Sequence, residues 1–393
     1  MARINDVTRE LSVAARLAIA RIGRAPDRSA AEPDPEAFAE ACAALMTKAP
    51  SGLVASHHQF RLPSDQPPWF DTGLDLAAGE TVTSLAVGRT WLARALDIWV
   101  GARFQLWFRI GEHGEAFRGT RRSHSFEVPE GGRLYLASYF PGEWADRTGA
   151  IAAADAAAYR GVDGALGVLL IRWRGEAAAG IRALAAEGDV DGLLAGEADR
   201  LADPPQTPRD WSYLWTLGPA EIFSRIGANG ERPRFVCETQ GDVGILQKDV
   251  SQALTPEVRL TWRWKMDALP SALREDTLPS HDYLSLAVAF DNGQDLTYFW
   301  SVSLPPGRVF RCPLPHWDQR ETHMVLRSGK TGLGAWQSED RALYNDYVQA
   351  IGAPPKRIVQ VWLIANSLFQ RRPGRCEYAD IVLSGPDGEI RVD

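Results

Sequence analysis

Groups that could act as proton donors or acceptors lie together in the second half of this 393-residue chain, where His281 and Asp282 follow Glu275 and Asp276. A histidine beside carboxylates can act as a general base, because the neighbouring negative charge raises its pKa. The alternative is a turn in which solvated polar groups cap a strand. We favour the turn, since no nucleophile is linked to the pair by sequence.

A second concentration of chemical groups lies between Trp336 and Tyr347. On a helix, Glu339, Asp340 and Tyr344 would share one side. Paired carboxylates beside aromatic rings can bind or cleave sugars, because rings stack on C–H faces while carboxylates hold hydroxyls or move protons. The favoured alternative is a salt-bridged helix that closes a sandwich, with Trp336 buried. The candidate residues of this segment are Trp336, Glu339, Asp340, Arg341, Tyr344, Asp346 and Tyr347.

Tryptophan is unusually frequent, with 14 residues. Tyr298 and Trp300 alternate along one predicted strand and therefore face the same way. Together with Trp262 and Trp264 they could form the floor of a ligand groove or fill a core. Core filling is the interpretation that we favour for most of the tryptophans.

Charge and cysteine usage argue against two classes of function. The net charge of −7 disfavours nucleic-acid binding, which needs a basic surface. The four cysteines (Cys42, Cys237, Cys312 and Cys376) are scattered, and the sequence has no CxxC and no Cys/His cluster. This spacing argues against a zinc site and predicts free thiols in a reducing compartment.

The amino-terminal segment carries no signal-peptide pattern, and no segment has the length and apolarity of a membrane span. We therefore predict a cytoplasmic protein. Apolar residues recur at helical spacing over residues 3–23, which predicts an amphipathic helix that packs on the body of the protein, on a partner or on a second copy.

The elements that must position these groups are mainly strands. Short alternating runs separated by glycine-containing turns predict a mainly β protein, with two antiparallel, jelly-roll-like β-sandwich domains, amino-terminal helices and a helical linker. A helix is also predicted over Glu339–Ala350, before Gly352 and a proline pair. The predicted divisions are a helical arm (1–50), a sandwich (51–174), a helical linker (175–210) and a second sandwich (211–393).

The first predicted sandwich resembles the PA-IL-like galactophilic lectins. The resemblance rests on the segments Pro68–Leu76, Phe108–Gly111 and Gly132–Leu136, and it covers about residues 66–172. It implies ligand and calcium binding by a late loop, here Tyr139–Gly149, with Tyr139, Trp144, Asp146 and Thr148 as ligand-binding candidates. The loop lacks the family's Asn pair and offers few oxygens. We predict that no cofactor is required, with calcium at Asp146 and Thr148 as the candidate metal.

The second predicted sandwich resembles the bacterial family catalogued as domain of unknown function 3047, over about residues 211–386. The segments that carry this resemblance are Val236–Thr239, Leu260–Lys265, Leu296–Ser301, Trp336–Arg341 and Asn345–Tyr347, with Asp282 and Ser328–Gly329. It implies a jelly-roll-like sandwich and no established chemistry. Where relatives carry an acidic stretch, this chain has Ile364–Ser367.

The leading functional hypothesis is a non-catalytic protein that binds a carbohydrate or a similar ring-containing small molecule. Its binding candidates in the second sandwich are Tyr298, Trp300, Trp336, Arg341 and Tyr344. The alternative is a glycoside hydrolase or lyase that uses His281, Asp282, Glu339, Asp340 or Asp346. A further alternative is an assembly component that docks through residues 3–23.

Overall fold

The computed structural model of the chain describes residues 32–66, 69–94, 98–138, 144–151, 161–227, 232–278, 280–314 and 317–393. These residues divide into two compact units, which we call the first unit (up to Pro205) and the second unit (from Gln206). The predicted helix over residues 3–23 lies outside the described residues. Among the helices of the described segments, none is long and apolar enough to cross a membrane.

The first unit is built from two antiparallel sheets and a set of helices. One sheet has the order β1-β8-β3-β4, with β6 paired to β3, and the other has the order β2-β7-β5. The elements are α1 (Pro35–Met46), β1 (Val54–Pro63), β2 (Trp69–Leu76), β3 (Thr81–Ala93), β4 (Ile98–Gly101), α2 (Ala102–Gln105), β5 (Leu106–Ile110), β6 (Ser123–Glu127), β7 (Gly132–Ser138), β8 (Asp163–Trp173), α3 (Ala177–Glu187) and α4 (Leu193–Ala202).

Strand β8 shows how the first unit is layered, because both of its faces are buried. On one face, Leu166 and Leu170 pack with residues of the three-stranded sheet. Leu169 and Ile171 point the other way and pack with residues of α1, α3 and α4. The helices of the segment predicted as a linker, 175–210, therefore contribute to the core of the first unit.

The second unit contains two larger sheets. The seven-stranded sheet has the order β16-β17-β15-β14-β19-β12-β9, and the six-stranded sheet has the order β10-β11-β20-β13-β18, with β21 paired to β20. The elements are β9 (Ser212–Tyr213), β10 (Phe223–Ile226), β11 (Arg234–Gln240), β12 (Val243–Ala253), β13 (Arg259–Ala268), β14 (Tyr283–Phe290), β15 (Asp295–Ser301), β16 (Val309–Arg311), β17 (Glu321–Ser328), β18 (Gln337–Ala342), α5 (Leu343–Ala350), β19 (Arg357–Asn366), β20 (Pro373–Gly385) and β21 (Gly388–Arg391).

Residues from both sheets of the second unit share one apolar core. Trp262 and Trp264 of β13 meet Tyr298 and Trp300 of β15 there, and the ring centroids of Trp262 and Tyr298 lie 5.5 Å apart. The favoured interpretation of these four aromatic residues as core is confirmed. The predicted mainly β class with antiparallel sheets is also confirmed. The jelly-roll topology stays a prediction.

The seven-stranded sheet also has a covered outer face. Phe299 and Val325 lie in a second apolar cluster with Cys312 and Trp317, which come from the connection between β15 and β17. Strands β15 and β17 are parallel, unlike the other paired strands of the described residues. A parallel pair needs a crossover. Here the crossover is the connection 302–320, of which Leu304, Cys312 and Trp317 pack on the outer face.

The predicted helix over Glu339–Ala350 is wrong in its first turn. Residues Gln337–Ala342 form β18, which pairs with β13 in the register Leu260↔Arg341. The helix α5 begins at Leu343. Pairing with a strand that is distant in sequence overrides the local helical pattern.

Candidate functional site

The outer face of the six-stranded sheet carries a groove of about 410 Å³, which we call the Trp336 groove. Because successive side chains of β13 point to opposite faces, Trp262 and Trp264 enter the core while Arg263 and Lys265 point outward. The lining residues are Arg232, Arg234, Arg263, Lys265, Trp336, Glu377 and Ala379.

Among the tryptophans of the described residues, Trp336 is the one that is exposed, with 37% of its surface accessible. The Arg263 guanidinium lies 5.0 Å from the centroid of its ring, a cation–π distance. The favoured interpretation of Trp336 as a buried residue is therefore wrong. Its ring is available to a ligand at the edge of a charged groove.

Ion pairs organise the charged groups of this groove. Glu377 accepts from Arg234 Nε at 2.7 Å and lies 2.5 Å from Lys265 Nζ. Partial burial raises the pKa of Glu377, but the hydrogen bonds and charges of Lys265 and Arg234 outweigh it and hold the pKa below its usual range. At neutral pH this carboxyl group is therefore ionised.

Asp380 is placed beside the groove by an irregularity of β20. The pairing of β20 with β13 shifts register here, and Asp380 has a positive φ of 53°, which Asp tolerates better than most residues. Its carboxylate accepts from Arg263 Nε at 2.6 Å and from Arg391 at 3.1 Å. Burial raises the pKa of Asp380, but the hydrogen bonds from these two arginines outweigh burial, and the net shift is downward.

A second concavity of about 500 Å³ lies further along the same three strands, β11, β13 and β20. Glu238 and Arg375, which pair across β11 and β20, form part of its wall. Its lining residues are Glu238, Thr239, Gln240, Asp267, Ala268, Pro373, Gly374 and Arg375. The outer face of this sheet thus offers a polar surface longer than the Trp336 groove alone.

The predicted carboxylate cluster of residues 336–347 is dispersed. Glu339 accepts from Trp264 Nε1 at 2.9 Å, and Asp340 forms an ion pair with Arg259 at 2.7 Å. They point to opposite faces because they are neighbours on a strand. A paired-carboxylate site at Glu339 and Asp340 is therefore contradicted.

Asp346 is held inside the second unit. Its carboxylate accepts from the Tyr298 hydroxyl at 2.8 Å and from Arg341 Nε at 2.8 Å. Tyr298 and Trp300 are 0% and 1% exposed, which contradicts their prediction as ligand contacts. Tyr344 is partly buried against the same core, so this segment contributes Trp336 alone to the exposed groove.

His281 and Asp282 are both fully buried, which contradicts the solvated turn as well as a general base open to substrate. Asp282 accepts backbone N–H bonds from Phe369 at 3.0 Å and from Gln370 at 2.7 Å. Burial raises the pKa of Asp282 to about 7. This carboxyl group anchors the loop after β19.

Four buried side chains that the sequence separates come together beneath the crossover, and we call them the His281 cluster: His281, Cys312, Glu321 and His323. His281 Nε2 lies 3.4 Å from Cys312 Sγ, and His323 Nε2 lies 3.4 Å from Glu321 Oε1. The four candidate ligand atoms all lie within 4.8 Å of one another. Burial lowers the pKa of His281 to about 3, so its imidazole is neutral at pH 7.

The scattered spacing of the cysteines argues against a zinc site, but the fold brings one of them beside two histidines and a glutamate. The sequence carries little signal for this cluster, because His281 precedes β14, Cys312 follows β16, and only Glu321 and His323 are close neighbours. Their i, i+2 spacing on β17 places both on one face of the strand.

The lectin-like loop of the first unit is described over residues 144–149. Trp144 is 2% exposed and stacks on Trp69 at a centroid distance of 5.2 Å, which contradicts its prediction as a ligand contact. Asp146 accepts from Thr148 Oγ1 at 2.6 Å and from Thr148 N at 2.9 Å, and these bonds lower the pKa of Asp146. Tyr139 lies outside the described residues, and calcium at Asp146 and Thr148 stays a prediction.

The fold and the groove define a mainly β protein with a charged, aromatic concavity on the outer face of a sheet. Residues 225–382 match the model of a family described as a protein of unknown function, DUF3047. The predicted resemblance of the carboxy-terminal half to this family is confirmed. A search of curated proteins found no significant match.

The solved structures that are similar to parts of the chain include the following three. The EclA N-terminal domain, a PllA-like lectin, is 18% identical over 31% of this chain and 99% of its own, with a TM-score of 0.24, and the predicted lectin resemblance is confirmed as a resemblance. The xyloglucanase domain of NopAA from Sinorhizobium fredii, in complex with cellobiose, is 6% identical over 46% of this chain and 99% of its own, with a TM-score of 0.28.

The third is a family 30 carbohydrate-binding module of a cellulosomal cellulase of Clostridium thermocellum. It is 11% identical over 46% of this chain and 90% of its own, with a TM-score of 0.23. At these identities and TM-scores, each of the three structures shows only a partial similarity of fold to this chain.

Proposed function

We propose that this protein binds a carbohydrate through the Trp336 groove and does not transform it. The observation that carries the proposal is the exposed ring of Trp336 at the edge of a groove lined by hydrogen-bonding side chains. An aromatic ring packs against the C–H face of a sugar, and the surrounding polar groups bind its hydroxyls. The groove volume of about 410 Å³ is in the range of ligand sites.

The charge of the groove favours an acidic carbohydrate. Four of its lining side chains are cationic (Arg232, Arg234, Arg263 and Lys265), whereas Glu377 is the one carboxylate among them. Asp380, which lies beside the groove, forms an ion pair with Arg263 and so balances one further positive charge. The local excess of positive charge contrasts with the net charge of −7 of the whole chain. A glycan that carries carboxylate groups would pair with these guanidinium groups.

The protonation states favour binding over hydrolysis. A glycosidase needs one carboxylic acid with a raised pKa to protonate the leaving group. In this groove the pKa values of Glu377 and Asp380 are both lowered by arginine or lysine partners. Both groups are ionised at neutral pH and act as hydrogen-bond acceptors and as anchors of the cationic side chains.

A glycan array tests the proposal, with paired neutral and uronate-containing oligosaccharides, in the presence of calcium and of a chelator. The expected result is binding of uronate-containing glycans without dependence on calcium. Titration calorimetry with the best glycan should then show at least about a tenfold loss of affinity for Trp336→Ala, since truncation of a stacked aromatic anchor commonly costs about 2 kcal/mol or more.

Phe70→Ala is the matched control, because Phe70 is an aromatic residue of the first unit with 42% exposure. It should leave the affinity unchanged. An array without any bound glycan would overturn the proposal. Binding that survives Trp336→Ala would place the site elsewhere, and release of reducing sugar from a bound glycan would contradict the non-catalytic role.

A further inference from the structure

We propose that the His281 cluster is a structural zinc site, in which His281, Cys312, Glu321 and His323 supply four ligands. This proposal does not depend on the Trp336 groove, which lies on the other sheet of the second unit. Its first support is the combination of donor types. Thiolate, imidazole and carboxylate are the ligands that Zn²⁺ takes in proteins, usually four in a tetrahedral arrangement.

The spacing of the ligand atoms fits one small ion. Metal–ligand bonds of about 2.0–2.3 Å in a tetrahedron place neighbouring ligand atoms about 3.3–3.7 Å apart. The distance between His281 Nε2 and Cys312 Sγ is 3.4 Å, as is that between His323 Nε2 and Glu321 Oε1. All four atoms lie within 4.8 Å of one another, so small side-chain adjustments close the remaining edges.

Hydrogen bonds around the cluster orient its ligands. His281 Nδ1 lies 3.1 Å from the backbone carbonyl oxygen of Glu275, and an N–H at Nδ1 that donates to it leaves the Nε2 lone pair directed at Cys312. Glu321 Oε1 accepts from the Tyr283 hydroxyl at 2.9 Å and from Thr297 Oγ1 at 3.1 Å. Such outer contacts are typical of metal-binding histidines and carboxylates.

His323 supplies an independent observation. It is fully buried, Nδ1 has no hydrogen-bond partner among the described residues, and Nε2 has only the 3.4 Å contact with Glu321 Oε1, which lacks hydrogen-bond geometry. A buried polar group without a partner is costly, and native proteins seldom retain one without a reason. A metal ion at Nε2 would give this nitrogen its partner.

The charge and the burial specify the kind of site. Two neutral imidazoles, one thiolate and one carboxylate together balance the two charges of Zn²⁺, which suits an interior of low polarity. All four residues are at most 1% exposed. Four protein ligands and no access for water are the features of a structural site, in contrast to a catalytic one. The ion would join the start of β14 to the β16–β17 hairpin.

The test is the metal content and the spectrum of the untagged full-length chain, expressed in medium supplied with zinc or with cobalt. The expected result is about one ion per chain, because a buried four-ligand site binds tightly. The cobalt form should show the visible bands of tetrahedral Co²⁺ and a near-ultraviolet band from thiolate to cobalt. Cys312→Ser should remove the near-ultraviolet band, and His323→Gln should lower the metal content severalfold.

Cys42→Ser is the matched control, because Cys42 is a buried free cysteine of the first unit. It should leave both the metal content and the spectrum as in the wild type. If Cys312→Ser does not fold, the metal content and the cobalt spectrum of the wild type are sufficient to test the proposal. Wild-type protein with far less than one ion per chain from both media would overturn the proposal, as would equal metal contents in the wild type and His323→Gln.

Discussion

The larger sheet of each unit has its outer face covered, but the two covers differ in chemistry. In the first unit, α1, α3 and α4 cover β3 and β8 with apolar contacts, such as those of Leu169, Ile171 and Leu184. In the second unit, the crossover covers β15 and β17, and buried polar groups of His281 and His323 lie beneath it.

This difference indicates which region carries chemistry beyond folding. Apolar side chains in a closed layer stabilise it without further partners, whereas buried polar groups are often less stabilising than apolar residues of the same shape. The helical cover of the first unit needs no additional explanation. The polar cover of the second unit does, and a bound ion supplies one.

The largest effect that separates the two covers is expected for His323→Leu. If the cluster holds zinc, this change leaves Cys312 and Glu321 without their cation and should lower the free energy of unfolding of the second unit by about 3–5 kcal/mol. Hydrogen exchange of peptides from β14 and β17 measures the loss. Met324→Leu, a volume-conserving change in the inner core, is the control and should cost less than about 1.5 kcal/mol. A variant as stable as the wild type would count against the ion.

In the first unit, the effect of a core substitution on the free energy of unfolding should depend on side-chain volume alone. Ile171 is fully buried under the helices. Ile171→Ala should therefore lower the free energy of unfolding by about 2–5 kcal/mol, and Ile171→Val by about 0.5–1.5 kcal/mol. Urea denaturation with and without a metal chelator measures both. A chelator-dependent difference would contradict the simple apolar cover.

The first unit also has a largely buried histidine, His124, which lies among the rings of Phe108, Phe117 and Phe126 at centroid distances of 6.1, 6.4 and 5.8 Å. Burial, with a smaller contribution from the charge of Arg200, lowers its pKa from 6.5 to about 4. The neutral form is thus the stable one in the folded protein. Its stabilising contribution is complete above pH 6.5 and is lost as the pH falls towards 4.

We therefore expect wild type to lose about 2 kcal/mol more than His124→Gln between about pH 7 and pH 4.5. Urea midpoints of both proteins at the two pH values measure the difference. Equal losses in the two proteins would show that His124 does not titrate in this range.

The smallest effect is expected on the outer face of the six-stranded sheet. Arg232 has a side chain that is 76% exposed and lies 3.7 Å from Asp380. Arg232→Gln should change the free energy of unfolding by less than about 0.5 kcal/mol, because exposed ion pairs contribute little. It should weaken binding of an acidic glycan about two- to fivefold and reduce the salt dependence of binding. Unchanged affinity at low salt would remove Arg232 from the site.

Much of the fold could be predicted from local patterns. The alternation along β13 places Trp262 and Trp264 in the core, and the runs that form β14, β15 and β19 are recognisable for the same reason. The strand β18 is not recognisable from its local pattern, because its conformation depends on pairing with β13.

The sites were harder to predict because they depend on contacts between distant segments. Trp336 follows a glycine-rich turn, where no periodicity reports whether a ring is buried or exposed. The His281 cluster joins one residue that precedes β14, one from within the crossover and two from β17, and only the fold brings them together. Scattered cysteines and histidines are therefore weak evidence against a metal site.

The parallel pairing of β15 with β17 has one further consequence. The intervening chain runs to the sheet edge as β16 and returns as β17, and the register Arg311↔Thr322 of these two strands places Cys312 opposite Glu321, whose backbone carbonyl oxygen accepts from Cys312 N at 3.0 Å. A shift in this register would therefore separate Cys312 from Glu321 and abolish the cluster even where both strands still form.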